Sequence, residues 1–131
     1  MKTPKSDRTT TIQELKDLVI KFETERGWQQ HHTPKNVAIS LCLEAAELLE
    51  HFQWDEYSQQ DKQAVADELA DVFFNCLNFA AAMDIDIATA FMSKFERVQK
   101  KYPVELFNPD SHNNEEYFRI KKAYRKQGDK P

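Results

Sequence analysis

The chain has 131 residues, 31% of them charged and 40% hydrophobic, with a formal net charge of −4. That is long and apolar enough for one folded domain without disulfide or metal staples. Two glycines in the whole chain argue against the tight hairpins of β-sandwiches and against glycine-cradled nucleotide folds. The net acidity makes nucleic acid an unexpected partner.

Residues 1–10 are polar and read as a flexible N-terminus. Thr11-Ile12-Gln13-Glu14 has the form of a capping box. Ile12, Leu15, Leu18, Val19 and Phe22 follow at helical spacing, and Gly27 is placed to end that helix in a left-handed turn. Thr33-Pro34 pairs an N-cap with proline at the first helical position, which starts a second helix expected to run to about Trp54. Val37, Ile39, Leu41, Leu43, Leu48, Leu49 and Phe52 make it apolar over most of its circumference, the pattern of a buried or interfacial helix.

Ser58 can cap a third helix, reaching about Ala82, that carries Val65, Leu69, Val72, Phe73, Cys76, Leu77 and Phe79. Asp84 or Asp86 can cap a fourth, with Ile87, Phe91, Phe95 and Val98 inward and Lys94, Arg97, Lys100 and Lys101 in its last turns. Tyr102-Pro103 ends it, and residues 115–126 can form a short basic final helix. The expectation is an all-α chain with an antiparallel four-helix core over residues 11–103 and a C-terminal extension over 104–131.

Charge divides along the chain. Residues 1–93 hold 8 basic and 16 acidic side chains, and residues 94–131 hold 10 basic and 6 acidic. No apolar run reaches the ~18 residues of a membrane span, and the polar start lacks a signal-peptide core. A cytoplasmic, reducing location is expected, with Cys42 and Cys76 as buried thiols.

The informative residues are acids inside apolar helices. At about 100° per residue, Glu47 lies about 60° from Glu44, and Asp71 lies about 60° from Glu68. Each pair shares a stripe beside its helix's packed face, with His51 on the stripe of Glu44 and Asn75 and Asn78 on that of Glu68. A connector of about 4 residues favours antiparallel neighbours, which lets the four carboxylates face one another. Such a group repels itself unless something positive sits among it. Hard divalent cations with oxygen ligands, Mg²⁺ or Mn²⁺, suit an all-carboxylate set better than zinc does. Acidic pairs at i, i+3 are also common on solvated helix faces, but two of them on adjacent apolar helices point to an ion.

The ordered set of motifs resembles a known family. Glu44-x-x-Glu47, twenty intervening residues, then Glu68-x-x-Asp71 is similar to the signature of the MazG-like, all-α nucleoside triphosphate pyrophosphohydrolases. Phe22-x-x-Glu25-Arg26-x-Trp28, His32-x-Pro34-x-Asn36, Phe52-Gln53-Trp54, Glu68-Leu69-Ala70-Asp71-Val72, and Lys94 followed by Lys101-Tyr102-Pro103 resemble the dCTP pyrophosphatase branch. The resemblance spans about residues 12–103. It implies hydrolysis of a nucleoside triphosphate at the α–β linkage, giving the monophosphate and pyrophosphate, in the service of nucleotide-pool cleaning.

It further implies Mg²⁺, with Mn²⁺ as a substitute, held by Glu44, Glu47, Glu68 and Asp71, and assembly as a helical homodimer or a pair of dimers. Glu47 is the candidate catalytic base. Trp28, His32, Asn36, Trp54 and Asn75 are candidates for the base and sugar, and Lys94, Lys101 and Tyr102 for the phosphate tail. Asn75, Val98 and Val19 stand where that branch has tyrosine, asparagine and histidine. Asn75 both donates and accepts, so it suits a different base edge. Two other readings go with the same helices: a non-catalytic nucleotide-binding or regulatory dimer, and a di-iron carboxylate bundle, which asks for Glu-x-x-His on two helices while helix three has no histidine.

Overall fold

The structure is a computed structural model, and it describes residues 3–54 and 61–127. These form five α-helices, with no strand among the described residues: α1 Ile12–Glu25, α2 Pro34–Glu50, α3 Lys62–Ala82, α4 Ile87–Lys101 and α5 Asn114–Gln127. The all-α class read from periodicity is the class observed. The chain separates into two compact units, Met1–Asp86 and Ile87–Pro131.

In the first unit, α1 begins at the expected capping box. The Glu14 backbone N–H donates to Thr11 Oγ1 at 3.1 Å, and the Thr11 N–H donates to Glu14 Oε2 at 2.7 Å. The helix ends in a left-handed turn at Gly27, φ +64. There the Trp28 N–H reaches back to the Glu23 carbonyl at 3.0 Å and the Gly27 N–H reaches Thr24 at 3.1 Å, the two bonds of a Schellman motif. Thr33 caps α2 by accepting from the Asn36 N–H at 3.3 Å.

Three boundaries differ from expectation. First, α2 stops at Glu50, not near Trp54, because the next turn tightens: the Phe52 N–H donates to Leu49 at 2.9 Å and Gln53 to Glu50 at 3.4 Å. Second, α3 is capped by Asp61, whose side chain accepts from the Gln63 N–H at 3.0 Å; Ser58 lies outside the described residues. Third, Asp84 does not cap α4. It takes the left-handed position that closes α3, at φ 52, with the Ile85 N–H bonded to the Ala80 carbonyl at 2.8 Å.

α3 packs against both α2 and α1. Val19, Val37, Leu77 and Ala80 are buried, and Phe22 meets the edges of Phe74 and Trp28 at ring separations of 6.0 and 5.6 Å. Lys16 Nζ donates to the Ile85 carbonyl at 2.7 Å, tying α1 to the end of α3. Ile39, Leu43, Leu49 and Leu69 remain exposed, so the apolar circumference of α2 is only partly used within one chain. Cys42 is exposed and Cys76 half-buried. Cys42 sits about 160° around α2 from Glu44, on the opposite side from the acidic stripe, which is why the expectation of a buried thiol fails there.

In the second unit, Ile120 of α5 is buried. Tyr102 stacks on Tyr117 at 5.4 Å and meets the edge of Phe107 at 5.4 Å. Phe91 and Phe95 stack on each other at 5.8 Å on an exposed face, so they are not the inward residues that periodicity suggested. No single helix among the described residues is long and apolar enough to cross a membrane.

Candidate active site

The two acid-bearing helices are the ones that pack together. α2 supplies Glu44 and α3 supplies Glu68 and Asp71, and one carboxylate oxygen from each lies within 4.8 Å of the other two. Glu44 and Glu68 are half-buried and Asp71 is exposed. The arrangement follows from the wheel: Glu44, Glu68 and Asp71 border the apolar residues that seat α2 on α3.

The electrostatics are those of a like-charge cluster. Burial is the first cause that pushes the Glu44 carboxyl above the ordinary carboxylate range; the hydrogen-bonding reach and charge of Glu47 come next, then the charges of Asp71 and Glu68. Glu44 Oε2 and Glu68 Oε2 are buried with no hydrogen-bond partner. Orphaned, convergent, hard oxygen donors fit a divalent cation of the Mg²⁺ or Mn²⁺ kind. Glu47 is exposed and stands outside the three-carboxylate set, yet close enough to Glu44 to perturb it. His51, the C-cap of α2, brings Nε2 to 3.6 Å from Glu68 Oε1. That contact suits a group that orients a ligating carboxylate.

The other expected site residues are distributed unevenly. Trp28 and His32 lie together in the α1–α2 connector, ring centroids 6.0 Å apart. Asn36 is occupied locally, its Nδ2 donating to the His31 carbonyl at 3.0 Å, which braces that connector. Asn75 Nδ2 donates to the Asp71 carbonyl at 3.0 Å, one turn back along α3. Trp54 is 86% exposed beyond the end of α2. Lys94, Lys101 and Tyr102 belong to the second unit; there Lys101 Nζ sits 4.2 Å from the Tyr124 ring centroid.

Two residues escape a search for acid pairs. Glu23 is 3% exposed and Asn78 7% exposed, and Asn78 Nδ2 donates to Glu23 Oε1 at 3.3 Å. His32 Nδ1 stands 2.8 Å from Glu23 Oε2. The signal was available: Glu23 is four residues after Val19 on the apolar stripe of α1, where an acid needs a reason to be.

Comparison with known proteins agrees with this geometry. Residues 39–119 match the MazG-like family. The chain is 33% identical over 104 residues to dCTP pyrophosphatase 1 of Bos taurus, covering 73% of this chain and 62% of that protein. It is 31% identical over 109 residues to dCTP pyrophosphatase 1 of Homo sapiens, covering 77% and 64%. It thus spans less than two thirds of the length of these relatives. A crystal structure of a pyrophosphatase from Archaeoglobus fulgidus is similar at a TM-score of 0.67 and 36% identity, covering 78% of this chain and 99% of that one. With its paired acids on two packed helices and this match over most of its length, the chain belongs to the MazG-like family.

Proposed function

We propose that the chain is a Mg²⁺-dependent nucleoside triphosphate pyrophosphohydrolase that cleaves the α–β phosphoanhydride, releasing the monophosphate and pyrophosphate, and that it serves to clean the cytoplasmic nucleotide pool. The observation that carries this reading is the convergence of Glu44, Glu68 and Asp71, with two buried carboxylate oxygens left unpartnered. Family membership and the names of the relatives support it.

In this reading Glu44, Glu47, Glu68 and Asp71 hold the cation, with Mn²⁺ as a substitute. When bound, Mg²⁺ offsets the carboxylate charge, engages phosphate oxygens and stabilises the leaving pyrophosphate. Glu47, exposed beside Glu44, is the member of this set assigned to orient the attacking water and take its proton. His51 steadies Glu68. Trp28 offers an aromatic face at the connector and Trp54 another past α2, both suited to stacking on a base. His32, Asn36 and Asn75 are assigned to the base and sugar by resemblance. Lys94, Lys101 and Tyr102 are assigned to the phosphate tail by resemblance. Residues 11–103 form the catalytic domain, built as a four-helix core in a homodimer or a pair of dimers, and residues 104–131 extend it. The exposed Ile39, Leu43, Leu49 and Leu69 suit such an assembly.

The test is a screen of ordinary and modified nucleoside triphosphates with Mg²⁺, in which pyrophosphate and orthophosphate are detected separately. The expected products are pyrophosphate and a monophosphate. Orthophosphate alone, or no product from any triphosphate at saturating Mg²⁺, would remove the proposal.

A further inference from the structure

Three polar side chains of the first unit meet away from the acidic set. Glu23 in the last turn of α1 and Asn78 near the end of α3 are almost wholly buried, and His32 reaches both from the connector that leads into α2. Glu23 Oε2 lies 2.8 Å from His32 Nδ1. Asn78 Nδ2 lies 3.3 Å from Glu23 Oε1 and 3.3 Å from His32 Nδ1. All three line a cavity of about 470 Å³.

These contacts decide where the imidazole proton sits. A carboxylate only accepts, an amide nitrogen only donates, and a neutral ring has one nitrogen of each kind. Were Nδ1 bare, its lone pair would face those of a buried carboxylate at 2.8 Å, and only the longer contact to Asn78 would be satisfied. With the proton on Nδ1, His32 and Asn78 each supply a donor to Glu23, one to each oxygen. Burial of a carboxylate demands such donors, so the packing supports the second arrangement.

The ring is held from other directions as well. The His32 backbone N–H donates to the carbonyls of Trp28 and Gln29, both at 3.2 Å. The next residue, Thr33, caps α2. The Trp28 ring stands tilted against His32 at a centroid separation of 6.0 Å. The imidazole nonetheless keeps 32% of its side-chain surface exposed. Since Nδ1 faces the buried partners, Nε2 on the far side of the ring is the nitrogen left for a ligand. A partner on one imidazole nitrogen sets both the tautomer and the aim of the other.

We propose that Glu23 is a positioning residue, which fixes the proton of His32 on Nδ1 and so aims Nε2 of that ring at the nucleotide. The inference rests on the pyrophosphohydrolase reading, in which His32 serves the substrate. Asn78 holds the carboxylate in place, and the effect of Glu23 passes through the one ring. A neutral His32 then offers the Nε2 lone pair to a hydrogen-bond donor, such as the sugar hydroxyl that every nucleoside triphosphate carries. Nothing in this role depends on the identity of the base.

Two readouts test it on the full chain. Nitrogen-15 shifts of the His32 ring, assigned with His32→Phe, report which nitrogen is protonated at pH about 8, where an ordinary imidazole is neutral. Wild type and Glu23→Asp are expected to carry the proton on Nδ1. In Glu23→Gln an amide can donate to Nδ1, and the proton is expected to move to Nε2. The second readout is kinetic, on the fastest substrate among the four ordinary deoxynucleoside triphosphates with Mg²⁺. Glu23→Gln and His32→Phe are each expected to raise KM about tenfold with kcat changed less. The double variant should raise it no further, and Glu23→Asp should recover most of the loss.

A wild-type His32 with a bare Nδ1 overturns the inference. So do effects of Glu23→Gln and His32→Phe on KM that multiply, since a residue needed only for folding acts independently of the ring. If Glu23→Gln does not fold, the wild-type ring spectrum decides. Absence of pyrophosphate from every triphosphate would defeat the functional reading, while the ring spectrum would still judge the hold of Glu23 on His32.

Discussion

Glu23 of α1 and Asn78 of α3, 55 positions apart, are joined by a buried hydrogen bond of 3.3 Å. Each is the other's reason for being in the interior. Asn78→Leu leaves the carboxylate without its amide donor and is expected to lower unfolding stability by about 1–3 kcal/mol. Replacing both residues by leucine should restore part of that loss. Urea unfolding of the single and double variants checks this, and equal stability of wild type and Asn78→Leu would show the bond to be dispensable.

Asp71 is the exposed member of the three-carboxylate set, so its substitution disturbs little packing. Asp71→Asn is expected to fold normally and to lose turnover by at least ~10². A rise in melting temperature with Mg²⁺ is expected of the wild-type chain, and Asp71→Asn should abolish it. Wild-type turnover in this variant, or an undiminished Mg²⁺ shift, would dissolve the assignment.

Glu44 supplies a pH dependence. Its folded-state carboxyl is pushed above the ordinary value of 4.5 by burial and by its acidic neighbours. Between the two values the folded chain binds the proton that the unfolded chain has released. Metal-free stability therefore falls as pH rises through that window. Glu44→Gln should flatten this part of the profile, as should saturating Mg²⁺. Superimposable profiles for wild type and Glu44→Gln without metal would contradict the burial of this acid.

Trp54 is 86% exposed, so Trp54→Ala should leave the melting temperature within about a degree, as surface changes generally do. Its expected effect is a several-fold rise in KM for nucleotides with kcat largely kept. Unchanged Michaelis constants for every nucleotide tested would remove it from base recognition.

Much of this was legible in the residues themselves. The capping box at Thr11 and Glu14, the Thr33-Pro34 start and the Gly27 stop are local chemistry, and each works as its residue type requires. The meeting of Glu44 with Glu68 and Asp71 was legible because helical spacing places acids and seam on adjoining stripes. Helix ends were harder. Phe52 and Trp54 continue the apolar pattern of α2, but the backbone tightens at Glu50, and tightening leaves no trace in side-chain periodicity. Glu23 stands on the apolar stripe of α1, which marks it as unusual, but the reason for its burial is a partner 55 residues away that no local pattern names. The apolar neighbours of Cys42 and Phe91 suggest interior positions, yet both are exposed, because the five described helices leave some apolar faces uncovered.

One residue joins the end of α1 to α3. The main-chain oxygen of Glu23 receives the Trp28 amide that closes the helix, while its side chain receives Asn78. The last turn of α1 and its buried tie to α3 therefore hang on one residue. Asn78→Leu is expected to speed the exchange of one amide proton, that of Trp28, and an unchanged rate would show the two bonds to be independent.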